Sequence, residues 1–205
     1  LSWSIKRGMD KTIAALALLL LSPFFVVVAI LIKLGSPGPI FYMATRIGRH
    51  GVPFRLYKFR TMRPDADRSG PAVTRHNDDR ITRVGGFLRK TKLDELPQLI
   101  NVLKGEMSLV GPRPEAPYYV EFYTPAQRQV LSVPPGFTSL ASIRYRNEEA
   151  LLVGDDWERI YLEQIMPDKL RVDTRYLQNW SLGLDLRILL YTVLILPSVD
   201  SANFL

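Results

Sequence analysis

Asp94 and Glu95 are adjacent carboxylates set among cations, in the run Lys90-Thr91-Lys92-Leu93-Asp94-Glu95-Leu96-Pro97-Gln98. Leu96, Leu99, Ile100 and Leu103 fall at i, i+3, i+4 and i+7, which is one face of an α-helix, and Gly105 is its natural stop. Pro97 then lies in the first turn, where a missing N–H costs nothing. Asp94 comes at or beside the N-cap and Glu95 on the first turn, next to unpaired backbone N–H groups and the positive end of the helix dipole. The same end attracts phosphate. Two readings follow: the pair only caps and charges a helix, or it works on a phosphate-bearing substrate.

Two further cations have the right setting for an anion. Lys58 stands between Tyr57 and Phe59 in a short strand pattern, either snorkelling at a surface or held toward a phosphate. Arg113 is flanked by Pro112 and Pro114, which stiffen an extended backbone and pre-organise the guanidinium fork for a carboxylate or a phosphate. The plainer alternative for Arg113 is an ion pair with Glu115. Other chemistries drop out. The chain has no cysteine, so disulfides, thiol nucleophiles and cysteine-ligated zinc are excluded. His50 and His76 show no metal-ligand spacing and read as surface or loop residues. Gly85-Gly86 fits neither the dinucleotide nor the Walker phosphate loop.

The elements that position these groups begin with an apolar anchor. Thr12 to Ile32 carries no charge, a run of about 21 residues and roughly 32 Å as a straight helix, enough to cross a hydrocarbon core. Ser22-Pro23 divides it, where proline removes a backbone hydrogen bond and Ser22 can offer its hydroxyl to the freed carbonyl. Basic residues flank both ends: Lys6, Arg7 and Lys11 before, Lys33, Arg46 and Arg49 after. Both flanks therefore prefer the cytoplasm, which a re-entrant helix turning at Ser22-Pro23 satisfies and a single span does not. A net charge of +7 over 205 residues calls for an anionic partner.

After a Gly- and Pro-rich exit, Ile40 to Met43 and Phe54 to Phe59 read as two short strands turning over Gly48 to Pro53. Residues 63 to 80 read as a surface loop, and Arg80 to Lys90 as a lead into the carboxylate pair through a short helix. Tyr118 to Leu131 reads as an amphipathic helix, Pro134 to Thr138 as a turn, and Asp156 to Ile165 as a helix ended by Pro167. Another helix runs from Lys169 to Trp180. Leu182 to Leu196, about 15 residues, is short for a span and suits a helix in the membrane interface or docked on the core.

Together, Tyr57-Lys58-Phe59-Arg60-Thr61-Met62, Asp94-Glu95-Leu96-Pro97-Gln98, Asn101 to Ser108 and Gly111-Pro112-Arg113-Pro114 closely resemble the bacterial sugar transferase family, the monotopic phosphoglycosyl transferases. A weaker pattern at Asp173, Tyr176, Asn179 and Asp185-Leu186 looks like the same family. The resemblance implies an α+β, mainly helical fold. A re-entrant membrane helix over 1–36, broken at Ser22-Pro23, precedes one cytoplasmic catalytic unit over 37–205 with a small β-hairpin and interfacial helices. It implies transfer of a sugar 1-phosphate from a UDP-sugar to a polyprenol phosphate with release of UMP, the first membrane step of surface glycan assembly. Asp94 would be the nucleophile that forms a covalent phosphosugar, and Glu95 its acid/base partner, with Mg²⁺ required.

A carboxylate attacks a phosphoryl centre competently once cations neutralise the diphosphate. Asp94 and Glu95 would hold Mg²⁺, which needs only one or two carboxylates, and Lys58, Arg89 and Arg113 would hold phosphates. Arg146 and Asp173 are the sugar or nucleotide candidates. Ser139 to Arg146 departs from the family pattern, although Arg146 is retained. Anionic lipids of the bacterial inner membrane are an expected partner and nucleic acid is not, since the cations form no single stripe with stacking aromatics. A homodimer stays open, as does a membrane-anchored scaffold that keeps the fold without turnover.

Overall fold

The computed structural model describes residues 2–64, 66, 78–148, 151–152 and 156–195. His76, most of the loop read over 63–80 and the end of the last apolar run lie outside them. Helix α1 spans Ser2–Gly35 and is helical across Ser22-Pro23. Pro23 has no N–H for the carbonyl of Leu19, and the Ser22 hydroxyl donates to that oxygen instead at 2.8 Å. The substitution lets the helical backbone pass the proline. α1 is long and apolar enough to cross a membrane, and one side of it, with Leu19, Leu20 and Leu34 among the most exposed, presents bare hydrocarbon.

Strands β1 (Phe41–Ile47) and β2 (Pro53–Phe59) form an antiparallel hairpin with Lys58 opposite Tyr42. The turn between them is a short 3-10 stretch ending at Gly51, whose φ of 79° suits glycine. Leu56 and Phe59 are both buried although the pleat points them to opposite faces. Leu56 joins Leu99, Val102 and Met107 in the main core. Phe59 meets Val28 and Ile32 of α1 in a second cluster. Both faces of β2 are covered, which is why neither reads as cleanly apolar.

Thr82 caps α2 (Arg83–Lys90) by accepting from Gly85 N at 3.0 Å. Gly85 lies against the end of β2: a Cβ there would come within 2.7 Å of Thr61 Cα and closer to its carbonyl carbon and oxygen. Gly85 of the glycine pair serves close packing. α3 runs Gln98–Lys104 and stops at Gly105, φ 82°. Its inward face is not the predicted one, because Leu103 is exposed whereas Gln98 and Asn101 are buried. Asn101 explains this. Its amide accepts from Tyr57 N at 3.0 Å and donates to Arg55 O at 2.8 Å and Glu106 Oε2 at 2.7 Å, stitching α3 to the open edge of β2.

β3 (Ser108–Val110) pairs in parallel with β4 (Gly136–Thr138), a strand where the sequence reads as a turn. The pairing depends on Gly111 and Gly136, whose backbones approach too closely for any side chain. The amphipathic helix read over Tyr118 to Leu131 is two pieces, α4 (Pro117–Glu121) and a 3-10 stretch Gln127–Ser132. Pro125, with no N–H to donate, stands between them. α5 spans Leu140–Arg144 and α6 Trp157–Ile160. Pro167 does not end the following helix. A π-turn over Tyr161–Ile165 leads directly into α7 (Met166–Gln178), which carries Pro167 in its first turn.

α8 (Leu182–Ile195) closes the described chain, with Ile188 in the core and Leu186, Leu190 and Val193 exposed. Near its N-terminus α1 is fastened by buried polar groups: Lys6 Nζ donates to Asp185 Oδ2 at 2.6 Å, and Ser108 Oγ to Asp10 Oδ2 at 2.6 Å. Trp3 stacks on Trp180 at 4.6 Å. At the other end Arg60 donates to the carbonyls of Ser36 at 2.8 Å and Pro37 at 2.7 Å.

Candidate active site

The carboxylate pair sits in a 3-10 turn, Leu93–Glu95, between α2 and α3. Lys92 makes that turn by adopting φ 57°, ψ 15°, a left-handed conformation that costs a non-glycine residue about 1–2 kcal/mol. Asp94 is therefore not the cap of α3, whose flanking residue is Pro97, and no side chain caps the helix. The expected capping role is overturned: the α-helical hydrogen bonding begins later than the apolar spacing implies.

The two carboxylates have opposite surroundings. Glu95 is held by two cations: Lys58 Nζ donates to Oε1 at 2.8 Å, and Arg113 is bidentate, Nη2 to Oε1 at 2.7 Å and Nη1 to Oε2 at 3.3 Å. Burial alone would raise the Glu95 pKa, but the charges of Arg113 and Lys58 hold it well below the usual carboxylate range. Glu95 is an anion throughout the physiological range. Asp94 is buried and its Oδ1 has no hydrogen-bond partner. Burial raises its pKa, the Glu95 charge adds to the rise, and Lys58, Arg89 and Lys92 oppose it. An unpaired, desolvated carboxylate oxygen bordered by cations is poised to take an electrophile or a cation.

Each cation arrives by a different element. Lys58 comes from β2, on the face that Leu56 turns to the core, and α3 and the 3-10 turn lie beneath it. Arg89 comes from the last turn of α2, and its charge acts on Asp94. Arg113 follows β3 between its two prolines, on the loop that Gly111 and Gly136 set in place. The structure thus brings Lys58, Arg89, Asp94, Glu95 and Arg113 into one electrostatic cluster.

The other two candidates stand differently. Asp173 on α7 is buried, and its Oδ2 accepts from the backbone N of Arg113 at 3.2 Å. Its carboxylate is thereby joined to the site through the Arg113 backbone. Arg146 is half-buried in the turn after α5. Three features went unread in the sequence: the strained Lys92, the Asn101 stitch, and a buried network behind the Arg113 loop. There Tyr161 donates to Glu115, and Lys169 Nζ donates to Glu148 Oε2 at 2.9 Å. The Pro-Glu step after Arg113 and the Lys169 to Asp173 spacing of one helical turn were the available signals.

Among the described residues no three His, Asp or Glu side chains gather into a metal cage. Mg²⁺ does not require one, since it keeps most of its ligands as water and phosphate oxygens. The partnerless Oδ1 of Asp94 and the adjacent Glu95 carboxylate fit such an ion in type.

Comparison with known proteins supplies a family. The bacterial sugar transferase family model matches residues 1–198. A Caulobacter vibrioides protein named UDP-glucose:undecaprenyl-phosphate glucose-1-phosphate transferase is 41% identical over 200 residues, 96% of this chain and 71% of that protein. An Escherichia coli protein of the same name is 39% identical over 92% of this chain but only 39% of its own length. An Aeromonas hydrophila relative, named UDP-N-acetylgalactosamine-undecaprenyl-phosphate N-acetylgalactosaminephosphotransferase, is 39% identical over 92% of this chain and 43% of its own length.

Proposed function

Because the chain belongs to the bacterial sugar transferase family, we propose that it moves a sugar 1-phosphate from a UDP-sugar to a polyprenol phosphate such as undecaprenyl phosphate, with release of UMP. The observation that carries this reading is the division of labour in the pair: Glu95 paired with Lys58 and Arg113, Asp94 buried with an oxygen unpaired. In the first step an Asp94 oxygen bonds to the β-phosphorus as the bond from that phosphorus to the bridging oxygen breaks, and UMP leaves with the electron pair. In the second, a phosphate oxygen of the polyprenol phosphate bonds to the same phosphorus and Asp94 departs as carboxylate. Lys58, Arg89 and Arg113 stabilise the charge that builds on phosphate oxygens in both. Glu95, permanently ionised, orients Lys58 and Arg113 rather than moving a proton. Mg²⁺, held by Asp94 and Glu95 when bound, would neutralise the diphosphate.

The same reading includes topology. Both ends of α1 are tied to the body that holds the site, through Lys6 and Asp10 at one end and Ser36 and Pro37 at the other. A helix crossing the bilayer would carry one of these ends to the far side, so a re-entrant α1 with the site on the cytoplasmic face accounts for both sets of contacts. The exposed hydrocarbon of α1 and α8 then faces acyl chains, beside anionic headgroups.

Asp94→Asn tests the chemistry. The purified variant is expected to release UMP from UDP-sugar and undecaprenyl phosphate at least 10³-fold more slowly than wild type, on the order of the loss when a nucleophile is removed. Wild-type release by the variant rules out attack by Asp94. A panel of UDP-sugars with and without Mg²⁺ identifies the donor and the metal requirement.

A further inference from the structure

Asp173 is a buried carboxylate that the chemistry above leaves without a role. It joins three elements: it projects from α7, its Oδ2 accepts from the backbone N of Arg113 at 3.2 Å, and its Oδ1 lies toward the start of α5, where it has no hydrogen bond of good geometry. The Ser139 hydroxyl and the Ala141 N–H favour its charged form. Around it stand Lys169 and Tyr176 on α7, Arg113 on the loop after β3, and Tyr123 after α4. Lys169 is turned partly away by its ion pair with Glu148.

The Arg113 N–H belongs to the peptide shared with Pro112, whose carbonyl accepts from Gly136 N at 2.8 Å. The peptide that carries Arg113 is thus held at its carbonyl by β4 and at its N–H by Asp173, and its orientation sets where the Arg113 side chain starts. We infer that Asp173 is a positioning residue, which in its charged form locks the Arg113 peptide and with it the guanidinium clamp on Glu95, and which loosens that clamp when it takes a proton. Burial pushes the Asp173 carboxyl up to about 7, against the opposing Arg113 N–H and Lys169 charge. The lock is then engaged above neutrality and released below it. Its effect on turnover rests on the proposed role of Glu95 and Arg113. The lock itself does not.

The test reads both. In ¹⁵N-labelled protein in detergent, the Arg113 amide resonance is expected to titrate with a midpoint near 7 in wild type and to stay flat in Asp173→Asn, which keeps the acceptor oxygen and loses the charge. Ser139→Ala removes a group that favours the charged form, so it is expected to move the midpoint upward by about half a unit. An Arg113 amide that does not titrate in wild type, or titrates unchanged in Asp173→Asn, overturns the inference. UMP release is measured on the same samples. The lock predicts an acid limb near the same midpoint that Asp173→Asn lacks, with a raised KM for the UDP-sugar at pH 8. If the amide titrates as stated and no sample releases UMP at any pH, the positioning role stands and the proposed function falls.

Discussion

Gly85 and Gly86 are neighbours on α2 for which the structure demands opposite outcomes on substitution by alanine. A Cβ at Gly85 would lie 2.6 Å from Thr61 C and 2.7 Å from Thr61 Cα, where carbon atoms in contact keep about 3.5–4.0 Å. Relief needs α2 and the end of β2 to part by about 1 Å. That movement also stretches the bond from Thr82 N to Thr61 O, now 2.9 Å. Overpacking of this kind costs about 1–3 kcal/mol and the strained hydrogen bond about 1 more, against a helix-propensity gain under 1 kcal/mol. The net is about 1–3 kcal/mol, a fall in Tm of roughly 2–12 °C for a chain of this size. At Gly86 the nearest atom to an added Cβ is Ile81 Cγ2 at 3.9 Å, an ordinary contact. Gly86→Ala should gain about 0.5–1 kcal/mol and raise Tm by roughly 1–4 °C. Since α2 carries Arg89 one turn further on, Gly85→Ala should also slow UMP release by about 100-fold, the usual effect of misplacing a group by 1 Å. Thermal unfolding in detergent together with UMP release checks the pair. Shifts of the same sign, or an unchanged Gly85→Ala, would refute the packing argument.

Glu95→Gln leaves Lys58 and Arg113 without their anion. Both cations are partly open to solvent, so the cost is set below that of a fully buried pair, at about 2 kcal/mol. Because the folded pKa of Glu95 is depressed, its stabilisation is complete above the ordinary glutamate value and disappears as pH falls through the lower folded value. The Tm gap between wild type and Glu95→Gln should thus be constant above about pH 5 and close in stronger acid. A gap that widens in acid contradicts the assignment. Lys6→Met should cost about 3–5 kcal/mol by leaving Asp185 and Asp10 buried without their cation, and adding Asp185→Asn should return part of the lost Tm. For topology, Ser4→Cys and Arg49→Cys in this cysteine-free chain should each react with an impermeant maleimide only from the cytoplasmic side. Labelling from opposite sides defeats the re-entrant helix and leaves the chemistry intact.

The sequence disclosed those features whose signal is local. The hairpin over 41–59, the stop at Gly105 and the helical anchor all follow from nearby turn residues and apolar runs. Ser22 behaves as Pro23 requires, because the freed carbonyl and the hydroxyl lie within one helical turn. Hidden features depend on contacts between distant residues. Asn101 reads as a polar residue on the outer face of an amphipathic helix until β2 presents the unpaired groups of Tyr57 and Arg55 to it. Gly136 reads as a turn until Gly111, distant in sequence, needs its bare backbone for a parallel pair. Pro167 reads as a terminator because periodicity carries no trace of the π-turn before it.

The candidate site shows the same division more sharply. Residue types and spacing singled out the pair and its cations, and placed Asp94 at or beside the N-cap of the next helix, a position the structure does not give it. An N-cap carboxylate spends an oxygen on backbone N–H groups, and such an oxygen is a poor nucleophile. The left-handed Lys92 moves the pair out of that position, and Asp94 keeps one oxygen unspent. Lys92→Gly, which takes up the left-handed conformation freely, should therefore relieve about 1 kcal/mol of backbone strain, read as a small rise in Tm.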